Sequence, residues 1–241
     1  MNRDLMILKK KNLLRFFSLL FLIILLTSCA ISNDSAEKGR GMENKKRILL
    51  LGASVGKAWN LSEFPQRMKS DDIFETIAFY EYDKTEALDE ILMRPKRKFH
   101  LTRTYIKGFF EPSPQLPDTI IIKECAAYFP GDLESYKESI KKWVKIIKNK
   151  KVDIILATTA PVTEERAKKR KGQIEAIREF NEWIRDYAKI EKITLLDLEA
   201  ALRKEDATNR FLRDNLSIDG LHLNKEAYNI LDRLLLDTLS K

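Results

Sequence analysis

Apolar positions along the chain follow two rhythms. Short continuous apolar runs occur at 47–51, 119–122, 152–157 and 193–197, with a weaker one at 76–80. Continuous rather than alternating apolar character marks strands covered on both faces, as in a parallel sheet. Between these runs apolar residues recur at three- and four-residue steps. Leu133, Tyr136, Ile140, Trp143, Val144 and Ile147 do so after Gly131-Asp132, Ile174, Ile177, Trp183, Ile184 and Tyr187 within 164–190, and Ala227, Ile230, Leu231, Leu234 and Leu235 near the C-terminus. That is the period of helices with one apolar face. Strand and helix alternate, so the pattern predicts an α/β fold in three layers, with helices covering both faces of a mainly parallel sheet. No internal repeat interrupts the alternation, and the proline-rich stretch 112–117 reads as the loop into the third strand.

The first 45 residues follow a different pattern. Arg3, Lys9, Lys10, Lys11 and Arg15 precede an apolar run at 16–26, which ends at Thr27-Ser28-Cys29. A basic region, an apolar run too short to span a bilayer comfortably and small residues after it read as a signal peptide over 1–28. Leu26-Thr27-Ser28-Cys29 resembles the bacterial lipoprotein lipobox, which implies lipidation of Cys29 and a membrane anchor facing outside the cytoplasm. An uncleaved anchor and an ordinary secretory signal are the alternatives. Residues 29–45 are polar and small with no apolar period and read as a flexible tether, leaving 46–241 as the folded domain.

Composition narrows the partners. The chain of 241 residues carries a net charge of +8, of which 1–28, with five Lys or Arg and one Asp, supplies +4. The remainder interleaves both signs, as in 164–171, which describes a solvated helix face and not a nucleic-acid footprint. There are two cysteines, and with Cys29 consumed by lipid only Cys125 remains, so the domain has no internal disulfide to draw on. Two histidines and one free cysteine offer no metal-ligand spacing. Hydrolysis with neither metal nor cofactor is the simpler expectation.

Candidate chemistry lies at the two ends of the domain. Ser54 follows the first apolar run in Gly52-Ala53-Ser54, and one of the two histidines closes Asp219-Gly220-Leu221-His222 just before the terminal helix. A serine becomes a nucleophile when an imidazole takes its proton, and a carboxylate holds that imidazole in the right tautomer. In open α/β sheets ligands sit beyond the carboxyl ends of the strands, where Ser54 is expected. A turn into a helix there aims backbone N–H groups at a developing oxyanion, with Gly52 and Gly56 permitting a tight turn. The alternative role for Ser54 is the N-cap of the first helix, and Asp219-Gly220 is also an ordinary turn signal. Cys125 suggests a second nucleophile, although no neighbouring sequence lowers its pKa and a buried inert thiol is the default. His100 reads as a surface residue, and Asp197 as a substrate contact or a turn cap.

The blocks 49–54, 117–122 and 219–224 together resemble the SGNH, or GDSL-type, hydrolases, over most of 46–240. The resemblance implies a flavodoxin-like three-layer α/β/α sandwich, with Ser54 as nucleophile, His222 as general base, Asp219 as its orienter and the Ser54 amide as an oxyanion donor. Ala53 stands where that family usually has Asp. Where the family shows a Gly-x-Asn-Asp run, this chain has Lys123-Glu124-Cys125-Ala126, so the oxyanion asparagine is missing. The second-block glycine is represented by Gly108 in an unfamiliar setting. Substitute donors are the backbone N–H groups of Cys125 to Ala127, the Tyr128 hydroxyl and the Lys123 ammonium; packing against a helix is the competing role for Ala126 to Tyr128. The function implied is an extracytoplasmic acyl or acetyl esterase acting on acylated glycans or lipids. The alternatives are a binding or assembly lipoprotein with a degenerate oxyanion hole and an O-acyltransferase.

Overall fold

Lys46–Leu51 (β1) begins a sheet in which every strand runs parallel. The computed structural model describes residues 45–77, 83–93, 116–205 and 210–241. The leader, Cys29, the tether up to residue 44, His100 and Gly108 lie outside the described residues. Lys45–Lys241 form one compact unit. β1 is followed by the short helices α1 (Ser54–Trp59) and α2 (Phe64–Arg67), strand β2 (Phe74–Thr76) and helix α3 (Lys84–Leu88). Strand β3 (Thr119–Lys123) leads to α4 (Leu133–Asn149), and β4 (Asp153–Ala157) to α5 (Glu164–Lys169) and α6 (Gln173–Glu191). Strand β5 (Thr194–Leu196), α7 (Leu198–Leu202) and α8 (Lys225–Leu239) complete the order.

The strands stand in the order β2-β1-β3-β4-β5. That is the flavodoxin-like order, in which the chain reverses direction across the sheet beside β1. Alternate residues serve opposite layers, as the period of two requires. Leu49, Ile120, Ile122 and Leu156 pack against α4 and α6. Ile48, Leu50, Ile121 and Ile155 pack against α1 and α8. All of β3 is buried, so the continuous apolar runs of the sequence are explained by cover on both faces.

Two details differ from the sequence pattern. The second strand starts at Phe74, two residues ahead of the weak run at 76–80, and pairs Lys46 with Phe74; residues 78–80 of that run lie outside the described residues. Phe74 is buried with its ring centroid 6.3 Å from that of Phe64, an aromatic anchor for the start of the strand. The stretch 164–190 is two helices, interrupted before Gly172, whose φ of +78° lies in the left-handed region that ends a helix readily.

A buried carboxylate ties the first helix to the last. Asp232 of α8, 1% exposed, accepts from Trp59 Nε1 at 2.7 Å and from Arg67 Nε and Nη2 at 2.7 and 2.9 Å. Burying a charge costs free energy unless every lone pair is satisfied, and here a bidentate guanidinium and an indole satisfy them. The elements flanking both halves of the candidate site are thereby locked together. Asp232→Ala leaves two donors without their acceptor and is expected to destabilise the domain by about 3 kcal/mol, read from the midpoint of urea unfolding.

Candidate active site

The ends of the strands build one half of the site. At Gly52 the chain turns from β1 into α1, and a Cβ there would stand 3.3 Å from the Gly56 Cα, so the tight turn tolerates little beyond glycine. Ala53 occupies the N-cap position and makes no side-chain cap; Ser54 is the first helical residue and is half-buried. Its Oγ lies 3.8 Å from the Sγ of Cys125, two residues past the end of β3. Ser54 therefore does not act as the N-cap of α1.

The other half is the loop before α8. Asp219 Oδ1 accepts from the backbone N–H groups of Leu221 and His222 at 3.0 and 2.7 Å, and its Oδ2 lies 2.7 Å from His222 Nδ1. One carboxylate thus fixes both the loop and the imidazole. This leaves Nε2 as the working nitrogen of the ring, the arrangement a general base needs. Both side chains are about half exposed, at 51% for Asp219 and 41% for His222. Partial burial resists ionisation of Asp219, but the His222 ring and the two amides outweigh it and bring its pKa down to about 2.

Gly220 fastens this loop to the carboxyl edge of the sheet. Its carbonyl accepts from the Thr163 N–H at 3.0 Å, in the segment after β4, and its own N–H donates to Ser217 Oγ at 2.6 Å. Its φ is +85°, and an added Cβ would lie 2.6 Å from Thr163 Oγ1. Farther along, the Tyr228 hydroxyl donates to the Val55 carbonyl at 3.3 Å, joining α8 to the turn that carries Ser54. Burial pushes the Tyr228 phenol up to about 12, which keeps it a neutral donor. Among the described residues no hydrogen bond joins Ser54 to His222.

Cys125, Ala126 and Tyr128 occupy a single 3₁₀ turn and the residue before it. The Ala126 carbonyl accepts from Gln173 Nε2 at 2.8 Å and that of Ala127 from Arg170 Nη1 at 2.7 Å. Neither the Cys125 nor the Ala126 N–H has an acceptor among the described residues. The Tyr128 ring packs beside Tyr136, at 6.3 Å between centroids, so its apolar body serves the core. Lys123 is 1% exposed and its ammonium donates to the Glu124 carbonyl at 2.8 Å, directed into the protein. Burial pulls its pKa down to about 8.

Sequence reasoning did not find Lys84, Gln173 or Arg170, which hold this segment from α3, α6 and the residue after α5. The available signal was Lys123-Glu124 at the end of an apolar run, since charges inside a buried strand demand partners. Asp197 proves to be the N-cap of α7, accepting from Ala200 N–H at 3.1 Å and held by Arg185. Among the described residues no group of three or more His, Cys, Asp or Glu could hold a metal ion.

Two outcomes follow from the loop geometry. Gly220→Ala adds a side chain to a left-handed residue already in contact with Thr163. It is expected to cost on the order of 1–3 kcal/mol in thermal or urea unfolding and to broaden the His222 ring signals in NMR. For Asp219 the folded-state pKa is depressed from 3.8 to about 2, so its contribution to stability is complete above 3.8 and disappears as pH falls through about 2. A carboxyl titration by NMR should place the midpoint near 2 and move it upward in His222→Ala.

Comparison with known proteins adds an independent line. The GDSL-like Lipase/Acylhydrolase family model matches residues 113–230, a stretch that holds Cys125, Asp219 and His222 and begins after Ser54. No curated protein sequence matches the chain. Among solved structures, a GDSL-like lipase from Bacteroides thetaiotaomicron VPI-5482 is similar at 17% identity and a TM-score of 0.59, covering 87% of this chain and 95% of its own. A lipase/acylhydrolase from Enterococcus faecalis matches at 15% identity and a TM-score of 0.55, over 80% of this chain and 95% of its own. An acetyl xylan esterase matches at 15% identity and a TM-score of 0.58, over 80% of this chain and 99% of its own. At these identities the likeness establishes the α/β fold that SGNH hydrolases share. The family model covers residues 113–230, just under half of the 241-residue chain, and the solved structures share the chain's fold.

Proposed function

We propose that the protein is a serine ester hydrolase working outside the cytoplasm, with Ser54 as nucleophile, His222 as general base and Asp219 as the orienter of His222. The observation that carries this reading is the Asp219–His222 pair at 2.7 Å on a loop fastened to the segment after β4, at the same sheet edge as Ser54. Ser54 Oγ attacks the acyl carbonyl while His222 Nε2 takes its proton. The Ser54 amide and the N–H groups of Cys125 and Ala126, which have no acceptor among the described residues, are the donors this reading assigns to the negative charge that develops on the carbonyl oxygen. His222 returns the proton to the departing alkoxide, leaving an acyl-Ser54 ester. Water then repeats the cycle, with His222 as base, to release the acid and restore the serine.

Short acyl or acetyl esters on envelope glycans or lipids are the substrates this reading favours. The leader and Cys29 support a membrane-tethered location. One observation favours a non-catalytic binding role instead: the Ser54 hydroxyl lies against the Cys125 thiol and has no hydrogen bond to His222.

The full chain in detergent, incubated with a fluorophosphonate probe and a short-chain aryl ester, decides between these. Turnover and labelling are expected in the native protein and should fall by a factor on the order of 10⁴ or more in Ser54→Ala and in His222→Ala. Equal labelling of all three proteins would sink the triad, and no labelling of a folded native protein would favour the binding role. Added sugar alcohols that accept the acyl group faster than water would reassign the reaction to acyl transfer.

A further inference from the structure

Among the described residues, the end of β3 buries two ammonium groups and one carboxylate. Lys84 and Glu124, each 3% exposed, form an ion pair at 3.1 Å, with the Lys84 ammonium 5.4 Å from the Trp143 ring centroid and 5.9 Å from that of Tyr128. That pair is balanced one to one. Lys123 adds a second ammonium, 1% exposed, and among the described residues no carboxylate lies within ion-pair distance of it. Its hydrogen bond is to a neutral acceptor, the Glu124 carbonyl at 2.8 Å. A buried cation paired only with a carbonyl is costly, and such cost recurs where charge has work to do.

The accepting carbonyl connects this cation to the candidate site. The Glu124 C=O and the Cys125 N–H belong to one planar trans peptide, so they point in opposite directions and polarise together. With the oxygen held by Lys123, the N–H points away from it, and it has no acceptor among the described residues. The residue carrying that N–H places its Sγ 3.8 Å from Ser54 Oγ. The peptide that Lys123 holds is thus carried by a residue whose side chain lies at Ser54, beside where a substrate carbonyl under attack would stand.

Resting on the ester-hydrolase reading, we propose that Lys123 is a positioning residue of the Ser54 site. By holding and polarising the Glu124–Cys125 peptide, it makes the Cys125 N–H an oxyanion donor in place of the side-chain amide this chain lacks. Lys123 touches no substrate; it acts through the peptide, and the developing oxyanion supplies the negative charge that the resting cluster does not hold. The groups that bear on its ammonium are Cys125, Lys84 and Glu124. Because burial brings the Lys123 pKa to about 8, the charge is present below that pH and disappears above it.

The test measures kcat and KM on an aryl acetate from pH 6 to 10 with the full chain in detergent. Native protein should lose kcat as pH rises through about 8. Lys123→Met should lower kcat at pH 7 by a factor on the order of 10–100, leave KM within about twofold and abolish the alkaline fall. Lys123→Arg should recover part of the kcat and carry the fall beyond pH 10. The fall should persist in Cys125→Ala, which keeps the backbone N–H and removes the thiol as its source. A second readout is independent of turnover. The Glu124 carbonyl ¹³C and Cys125 amide ¹⁵N shifts should titrate with a midpoint near 8 in native protein and be flat in folded Lys123→Met. Native kcat and an unchanged alkaline fall in Lys123→Met, or no titration of that peptide near 8, would overturn the proposal. If native protein turns over no ester while the peptide still titrates, the hydrolase reading fails and the Lys123 coupling stands.

Discussion

The register of β1 against β3 is the constraint on which the rest of the molecule depends. Leu51 pairs with Ile122. Ser54 is three residues beyond Leu51, and Cys125 is three beyond Ile122, so in-register strands deliver both side chains to the same height above the sheet edge, where they meet at 3.8 Å. β4 continues the alignment, pairing Ala157 with Lys123. A slip of one residue would turn Leu49, Ile120 and Leu156 from the α4 and α6 layer to the α1 and α8 layer and part Ser54 from Cys125. Packing on both faces specifies the register, and the register then specifies the chemistry.

Charge is placed on this frame by two different rules. Away from the rim, carboxylates are paired with cations from distant elements: Asp232 with Arg67, Glu199 and Asp197 with Arg185, Glu124 with Lys84. These contacts join elements far apart in the chain and make the scaffold unique more than they make it stable. At the rim the Asp219–His222 pair is about half exposed and depends on neighbouring backbone for its geometry. Gly220 joins the two regimes, since its carbonyl and N–H tie the Asp219–His222 loop to Thr163, in the segment after β4, and to Ser217.

Much of this was legible in the sequence because it follows from local periodicity. Four of the five strands lie where continuous apolar runs predict them, and α4, α6 and α8 carry the apolar steps read at 133–147, 174–187 and 227–235. The start of the edge strand β2 was less legible, because Phe74 is distinguished by its contact with distant Phe64 rather than by its neighbours. The pairing of Asp219 with His222 was readable, being a matter of three residues and one loop. Lys84 with Glu124, and Asp232 with Arg67, were not: these partners are 40 and 165 residues apart, and no period in a single sequence encodes which distant cation meets which buried carboxylate.

The segment after β3 is coherent when taken with its burial. A side-chain amide donates to an oxyanion with no charge of its own and no dependence on pH. A backbone amide is fixed more rigidly, because the carbonyls of Glu124, Ala126 and Ala127 are each held by a side chain, from Lys123, Gln173 and Arg170 respectively. A neutral amide so held is weaker than one polarised by a cation, and the cation is effective only where water cannot screen it. Lys123 meets that condition at 1% exposure. The segment after β3 thus combines a rigid peptide with a buried ammonium held against one of its carbonyls, and the two features share one physical logic.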